Sequence, residues 1–107
     1  MKRIILVLIF FGMLITGCAN QKACDIYNLN LKTIKDRVDK KPGQNVVPAN
    51  DSILFFERIT GIVSESDGNF EGRYNPTLND YIRWVDWFKM NHKRLYWDKK
   101  EKQVRVK

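Results

Sequence analysis

Residues 75–97, NPTLNDYIRWVDWFKMNHKRLYW, hold all three tryptophans of the chain and decide its fold. No other stretch offers enough aromatic area to close a small core. Thr77, followed three residues later by Asp80, predicts an N-cap with an acidic partner in the first turn, and Pro76 blocks an earlier helical start. Leu78, Tyr81, Ile82, Val85 and Phe88 then recur at helical spacing, and Trp84 and Trp87 widen that stripe on opposite sides. Asn79, Arg83, Asp86, Lys89 and Met90 are left for solvent. A helix with so broad an apolar face needs partners on more than one side.

Downstream, Asn91 and His92 mark the helix end. Leu95-Tyr96-Trp97 reads as a strand, Asp98 to Lys102 as a turn, and the alternation of Val104-Arg105-Val106-Lys107 as a second strand. Such a hairpin is not stable alone and must pack on the helix. Upstream, Asn50-Asp51-Ser52 supplies capping residues for a helix over Ile53 to Thr60, stopped by Gly61, with Leu54, Phe55, Phe56 and Ile59 aimed at the main helix. Tyr27, Leu31, Ile34 and Val38 predict a short amphipathic helix that packs in the core or lies on a membrane surface. Lys40 to Asn45 breaks it, and Ile62 to Tyr74 reads as a loop. The expected fold is α+β: two to three helices with a C-terminal β-hairpin.

The N-terminus is an address. Met1-Lys2-Arg3 is positive, Ile4 to Ile15 is apolar, and the run of about a dozen residues is too short to span a bilayer, which takes roughly 20. Ile15-Thr16-Gly17-Cys18 resembles the bacterial lipobox, in which the cysteine thiol receives a diacylglyceryl group and the chain is cut in front of it. That resemblance implies a signal peptide over 1–17 and a lipidated Cys18. A tether and the amphipathic helix follow over 18–47, and a Trp-rich module over 48–107. Ala19 follows the cysteine, and the absence of Asp there favours the outer membrane if two membranes are present. Two or more acyl chains hold a protein where one would be marginal.

Without Lys2 and Arg3, 17 of the 19 basic residues face 12 acidic ones, a net charge of +5. A basic, lipid-tethered chain is drawn to anionic headgroups or acidic wall polymers, and nucleic acid is a poor partner for an exported protein. With Cys18 lipidated, Cys24 is left as a single thiol, either buried or paired with another chain.

Catalysis is not expected. His92 is the sole histidine, beside Lys93 and Arg94 at a helix end, and Ser52, Ser64 and Ser66 sit in cap or loop contexts without a nucleophile elbow. A calcium-loop register beginning at Asp67, with Asn69 and Glu71, fails where Leu78 occupies the place of the bidentate carboxylate. The better reading is a turn built on Gly68 and Gly72, and no cofactor is expected. Trp84, Trp87, Tyr96 and Trp97 offer two readings. They fill the core, or they line a platform for wall or surface glycan with Lys93 and Arg94 as polar partners.

Leu54-Phe55-Phe56-Glu57-Arg58-Ile59-Thr60-Gly61, Pro76-Thr77, Trp84-x-x-Trp87-Phe88, Asn91 and Leu95-x-Trp97-Asp98 together resemble a tail module of exported bacterial proteins. In that module a Leu-Thr-Gly turn precedes a helix with two tryptophans three apart, often after HEAT-type repeats. Small bacterial lipoproteins that carry little else are similar. Here Ile59 replaces the leucine and no helical repeats stand upstream. The resemblance, over about residues 53–106, implies export and architecture and carries no catalytic residues. The expectation is a membrane-anchored envelope lipoprotein with a non-catalytic interaction or structural module. Its partner is an envelope protein or a glycan. The alternatives are a carbohydrate-binding module and a small inhibitor or immunity factor against a toxin or lysozyme.

Overall fold

The computed structural model describes residues 18–44, 48–65, 68–69, 72–73 and 75–107. The segment 1–17, expected to be a signal peptide, lies outside them. Helix α1 (Gln21–Val38), α2 (Asn50–Thr60) and a short antiparallel ladder of β1 (Gly68–Asn69) on β2 (Gly72–Arg73) are followed by α3 (Leu78–Asn91), which a one-turn 3-10 helix (His92–Arg94) joins to the hairpin strands β3 (Leu95–Asp98) and β4 (Gln103–Val106). The expected α+β fold, with three helices and a C-terminal hairpin, is the fold observed.

α3 begins as its sequence requires. The Thr77 hydroxyl accepts from the Asp80 amide at 3.0 Å and the Asp80 carboxylate accepts from the Thr77 amide at 3.0 Å, a closed capping box. Its buried face is displaced from the expected stripe, however. Trp84 and Asp80 are completely buried and Tyr81, Val85, Trp87 and Phe88 are partly covered, whereas Leu78 and Ile82 are about half exposed. Overlapping runs of three and four leave two possible faces on this helix. The position of α1 and α2 selects the one through Trp84.

α1 starts six residues earlier than its apolar recurrence predicts. Asn20 caps it, accepting from the Ala23 amide at 3.0 Å, and Ala23 and Cys24 extend the buried stripe by one turn toward the N-terminus. The expected tether over Ala19 to Lys22 therefore shrinks to the residues before Gln21. α1 contacts α2, α3 and both hairpin strands. The segments 18–47 and 48–107 thus share one core: Ala23, Cys24, Tyr27, Leu31 and Ile34 meet Ile53, Phe56, Ile59, Trp84, Leu95 and Val104. Of the two readings for the amphipathic helix, core packing is the one found.

α2 begins at Asn50, with Ala49 at the cap position and no side-chain cap bond. The expected capping residues lie within its first turn, where the Ser52 hydroxyl instead donates to Asn30 Oδ1 of α1 at 2.8 Å. Shifting the start turns Ile53 inward and leaves Leu54 half exposed, contrary to the expected orientation. Gly61 ends the helix at φ 72°, a left-handed conformation that glycine adopts without a Cβ penalty.

The hairpin pairs Leu95 with Val106, Tyr96 with Arg105, Trp97 with Val104 and Asp98 with Gln103. Leu95 and Val104 are buried against the helices. In the turn, Asp98 Oδ1 accepts from the amides of Lys100 and Glu101 at 3.0 and 3.1 Å, and Lys102 adopts φ 52°.

Candidate functional site

Tyr27 is the centre of the aromatic cluster. Its ring lies 4.8 Å from Phe56, 4.9 Å from Phe88, 5.8 Å from Trp87 and 5.9 Å from Phe55, centroid to centroid. Its hydroxyl donates to the Trp84 carbonyl at 2.7 Å, and burial pushes the phenol well above its ordinary pKa. Trp84 stacks on Phe56 at 4.7 Å and donates through Nε1 to the Ile62 carbonyl at 3.3 Å. The Tyr27 hydroxyl and the Trp84 indole, its two fully buried polar groups, are both matched, as a dry core requires.

The glycan platform is corrected by this packing. Trp84 has no exposed surface to offer a sugar ring, and Trp87 is stacked on Tyr27. Tyr96 and Trp97 are adjacent in β3, with Trp97 on the face that packs inward and Lys22 Nζ 4.1 Å from its ring centroid. The four rings do not form one surface. Lys93 and Arg94 are exposed beside them, with Arg94 donating to the Lys107 carbonyl and to Asn91 Oδ1.

A second buried site was not expected to be more than a cap. Asp80 accepts from the Ser64 hydroxyl at 2.5 Å, the Glu65 amide at 2.9 Å, the Thr77 amide at 3.0 Å and Arg83 Nη2 at 2.8 Å. Burial alone raises a carboxyl pKa, but these four donors outweigh it and hold Asp80 below the ordinary carboxylate range. The site ties the segment after α2 to the start of α3. Ser64 here donates to a carboxylate acceptor, and His92 is engaged elsewhere, its Nδ1 3.0 Å from the Phe88 carbonyl. No Ser-His pair forms from these residues.

Cys18 stands two residues ahead of the α1 cap, and its sulfur is bonded to that of Cys24, with the Cα atoms 6.5 Å apart. In this unlipidated form Cys24 is not the single thiol expected when Cys18 carries lipid. Because α1 starts at Gln21, Cys24 lies one turn inside it, and the chain before the cap folds back over that turn. Cys24 is 1 % exposed. A disulfide and a thioether to lipid are mutually exclusive uses of the Cys18 sulfur, so the two chemistries describe two forms of the chain.

Between α2 and the hairpin lies a cleft of about 370 Å³ lined by Arg58, Ile59, Glu101, Gln103, Arg105 and Val106. Arg58 Nη1 donates to the Val104 carbonyl at 2.8 Å; burial, then the nearby Arg105 charge, lower its pKa. Arg105 is 3.3 Å from Asp98. The two guanidinium groups thus share the cleft with the Glu101 carboxylate, and each already has an acceptor. Sequence reading missed it because Arg58 and Arg105 approach only through the packing of α2 on β4.

Of the calcium-loop residues, Asp67 and Glu71 lie outside the described residues, and of Asn69 only the backbone is described. Among the described residues no group of three His, Cys, Asp or Glu side chains converges on a common point. No described helix is long and apolar enough to cross a membrane. Comparison of the chain with protein-family models, with curated proteins and with solved structures gives no match.

Proposed function

We propose that the protein is a lipid-anchored lipoprotein of the bacterial cell envelope whose small α+β module serves interaction or structure without chemistry. The observation that carries this reading is the order of parts at the N-terminus: Met1-Lys2-Arg3, an apolar run, and Ile15-Thr16-Gly17-Cys18. The placement of Cys18 supports it. The candidate acylation site directly precedes the first helix, so the whole described fold lies on the retained side of the cleavage point. The resemblance of the C-terminal half to a tail module of exported proteins points the same way.

The described polar clusters argue for a non-catalytic module. Asp80 is saturated with donors, Tyr27 is committed to a carbonyl, and His92 caps its own helix. In the lipidated form Cys18 turns its sulfur to the acyl group and Cys24 is a buried thiol under the anchor.

The test is intact mass of protein isolated from its host membrane, compared with a Cys18→Ser variant. A mature chain that starts at Cys18 and carries acyl mass, lost in the variant, is expected. An unmodified chain in the soluble fraction, with Cys18 and Cys24 joined, would overturn the anchor.

A further inference from the structure

We infer that the hairpin end of the module docks on anionic lipid headgroups next to the point of attachment, so that the protein sits on the bilayer in one orientation. The inference rests on the lipid-anchor reading and adds a surface, a partner chemistry and a posture to it.

Charge is segregated along the chain. Counting side chains, residues 18–91 carry ten Lys or Arg and ten Asp or Glu, and are neutral. Residues 92–107 carry seven Lys or Arg against two acidic residues, and hold the whole +5 of the mature chain. These residues are the 3-10 turn and the hairpin. Lys93, Lys99, Lys100, Lys102 and Lys107 are exposed, and none forms an ion pair among the described residues. Asp98 is turned into the backbone of the hairpin turn and toward Arg105. Glu101 in the hairpin turn and Asp25 near the start of α1 are exposed carboxylates at the same end of the fold.

The fold brings this charge to the Cys18 end. α3 runs antiparallel to α1, so its last turn lies beside the first turns of α1: Cys24 Sγ is 4.0 Å from the His92 carbonyl. β3 continues past that point, and Lys22 Nζ sits over the Trp97 ring. From Cys18 to Gln21 is a reach of at most about 10 Å, comparable to the ~8 Å over which salt screens charge at physiological ionic strength. The start of the basic segment at His92 and the Trp97 strand under Lys22 are therefore brought close to the surface to which the acyl chains attach. Tyr96, partly exposed on the other face of β3 from Trp97, adds the aromatic character common at that interface. This proximity favours headgroups over wall polymer, which the same charge would attract without regard to where the anchor lies.

Lysine acylation by a water-soluble ester, read residue by residue by mass spectrometry, tests the inference on the lipidated protein in vesicles. Vesicles of phosphatidylcholine are compared with vesicles containing a third phosphatidylglycerol. Lys93, Lys99, Lys100 and Lys102 are expected to lose labelling several-fold on the anionic vesicles and to regain it at high salt, while Lys32 and Lys41, farther along the chain from Cys18, serve as references. A K99Q/K100Q/K102Q variant should stay acylated and membrane-bound while Lys93 loses its salt-sensitive protection. Equal labelling on both vesicles, with acyl mass present, would overturn the docking and leave the anchor standing. Protection that appears only on adding an acidic wall polymer would overturn it in favour of that partner. Absence of acyl mass would remove the premise itself.

Discussion

Asp80 and Asp98 perform the same local task in opposite surroundings. Each receives two backbone amides and an arginine, Asp80 from Glu65, Thr77 and Arg83, Asp98 from Lys100, Glu101 and Arg105. Asp80 is completely buried and also accepts from Ser64, whereas Asp98 stands at the rim of the hairpin. Both carboxyl groups are held below their ordinary pKa. For Asp80 burial is the largest influence and the donors must overcome it, whereas for Asp98 the Glu101 amide leads and the opposing effect of burial comes second. A buried carboxylate with a full set of donors is costly to disturb because water cannot replace a lost partner. At the rim, water can. The first corner holds the fold; the second shapes a turn that presents lysines.

Replacement of Asp80 should have the largest effect on this contrast. Asp80→Ala leaves the Ser64, Glu65 and Thr77 donors without their acceptor and removes the partner of Arg83, and should cost about 3 kcal/mol, read as a lower urea midpoint at unchanged slope. The same corner sets the response to acid. A carboxyl whose folded pKa is depressed contributes stability that is present above its unfolded pKa, near 4, and is lost as pH falls through the folded value. The urea midpoint should therefore fall below about pH 4, and Asp80→Asn should flatten that part of the profile. An unchanged profile would mean that the corner is not what acid attacks.

Ser64→Ala removes one donor and keeps the others, and should cost about 1.5 kcal/mol. If it costs as much as Asp80→Ala, the four bonds act as one unit and do not add. The smallest effect belongs to the rim. Asp98→Ala should leave the unfolding midpoint of the core within error while speeding amide exchange at Lys100 and Glu101. A large fall in the midpoint would place the hairpin turn among the elements that hold the core and erase the contrast.

Local rules made much of this fold legible. The Thr77 and Asp80 capping box, the Gly61 stop and the hairpin with its turn over Lys99 to Lys102 depend on residues a few positions apart, and each is present. Orientation was less legible. Leu78 and Ile82 satisfy helical spacing as well as Tyr81 and Phe88, and only the docking of α1 and α2 decides that Trp84 goes in. The early start of α1 depends on Asn20 and on the small side chains of Ala23 and Cys24, which a search for large apolar residues passes over. The Cys18 to Cys24 contact follows from that start. The cleft between Arg58 and Arg105, and the gathering of cations beside Cys18, are products of tertiary packing, and no local pattern announces them.

The shortness of the link between Cys18 and α1 also governs how this protein meets others. In the acylated form proposed above, the module would have almost no freedom to rise from the bilayer and would diffuse as part of a two-dimensional fluid. A membrane-bound partner then shares a thin layer with it, and their encounter depends on surface density, with an effective concentration far above that of the same molecules in free solution. A partner fixed deeper in the wall has to extend down to that layer, because the module has no stalk on which to climb.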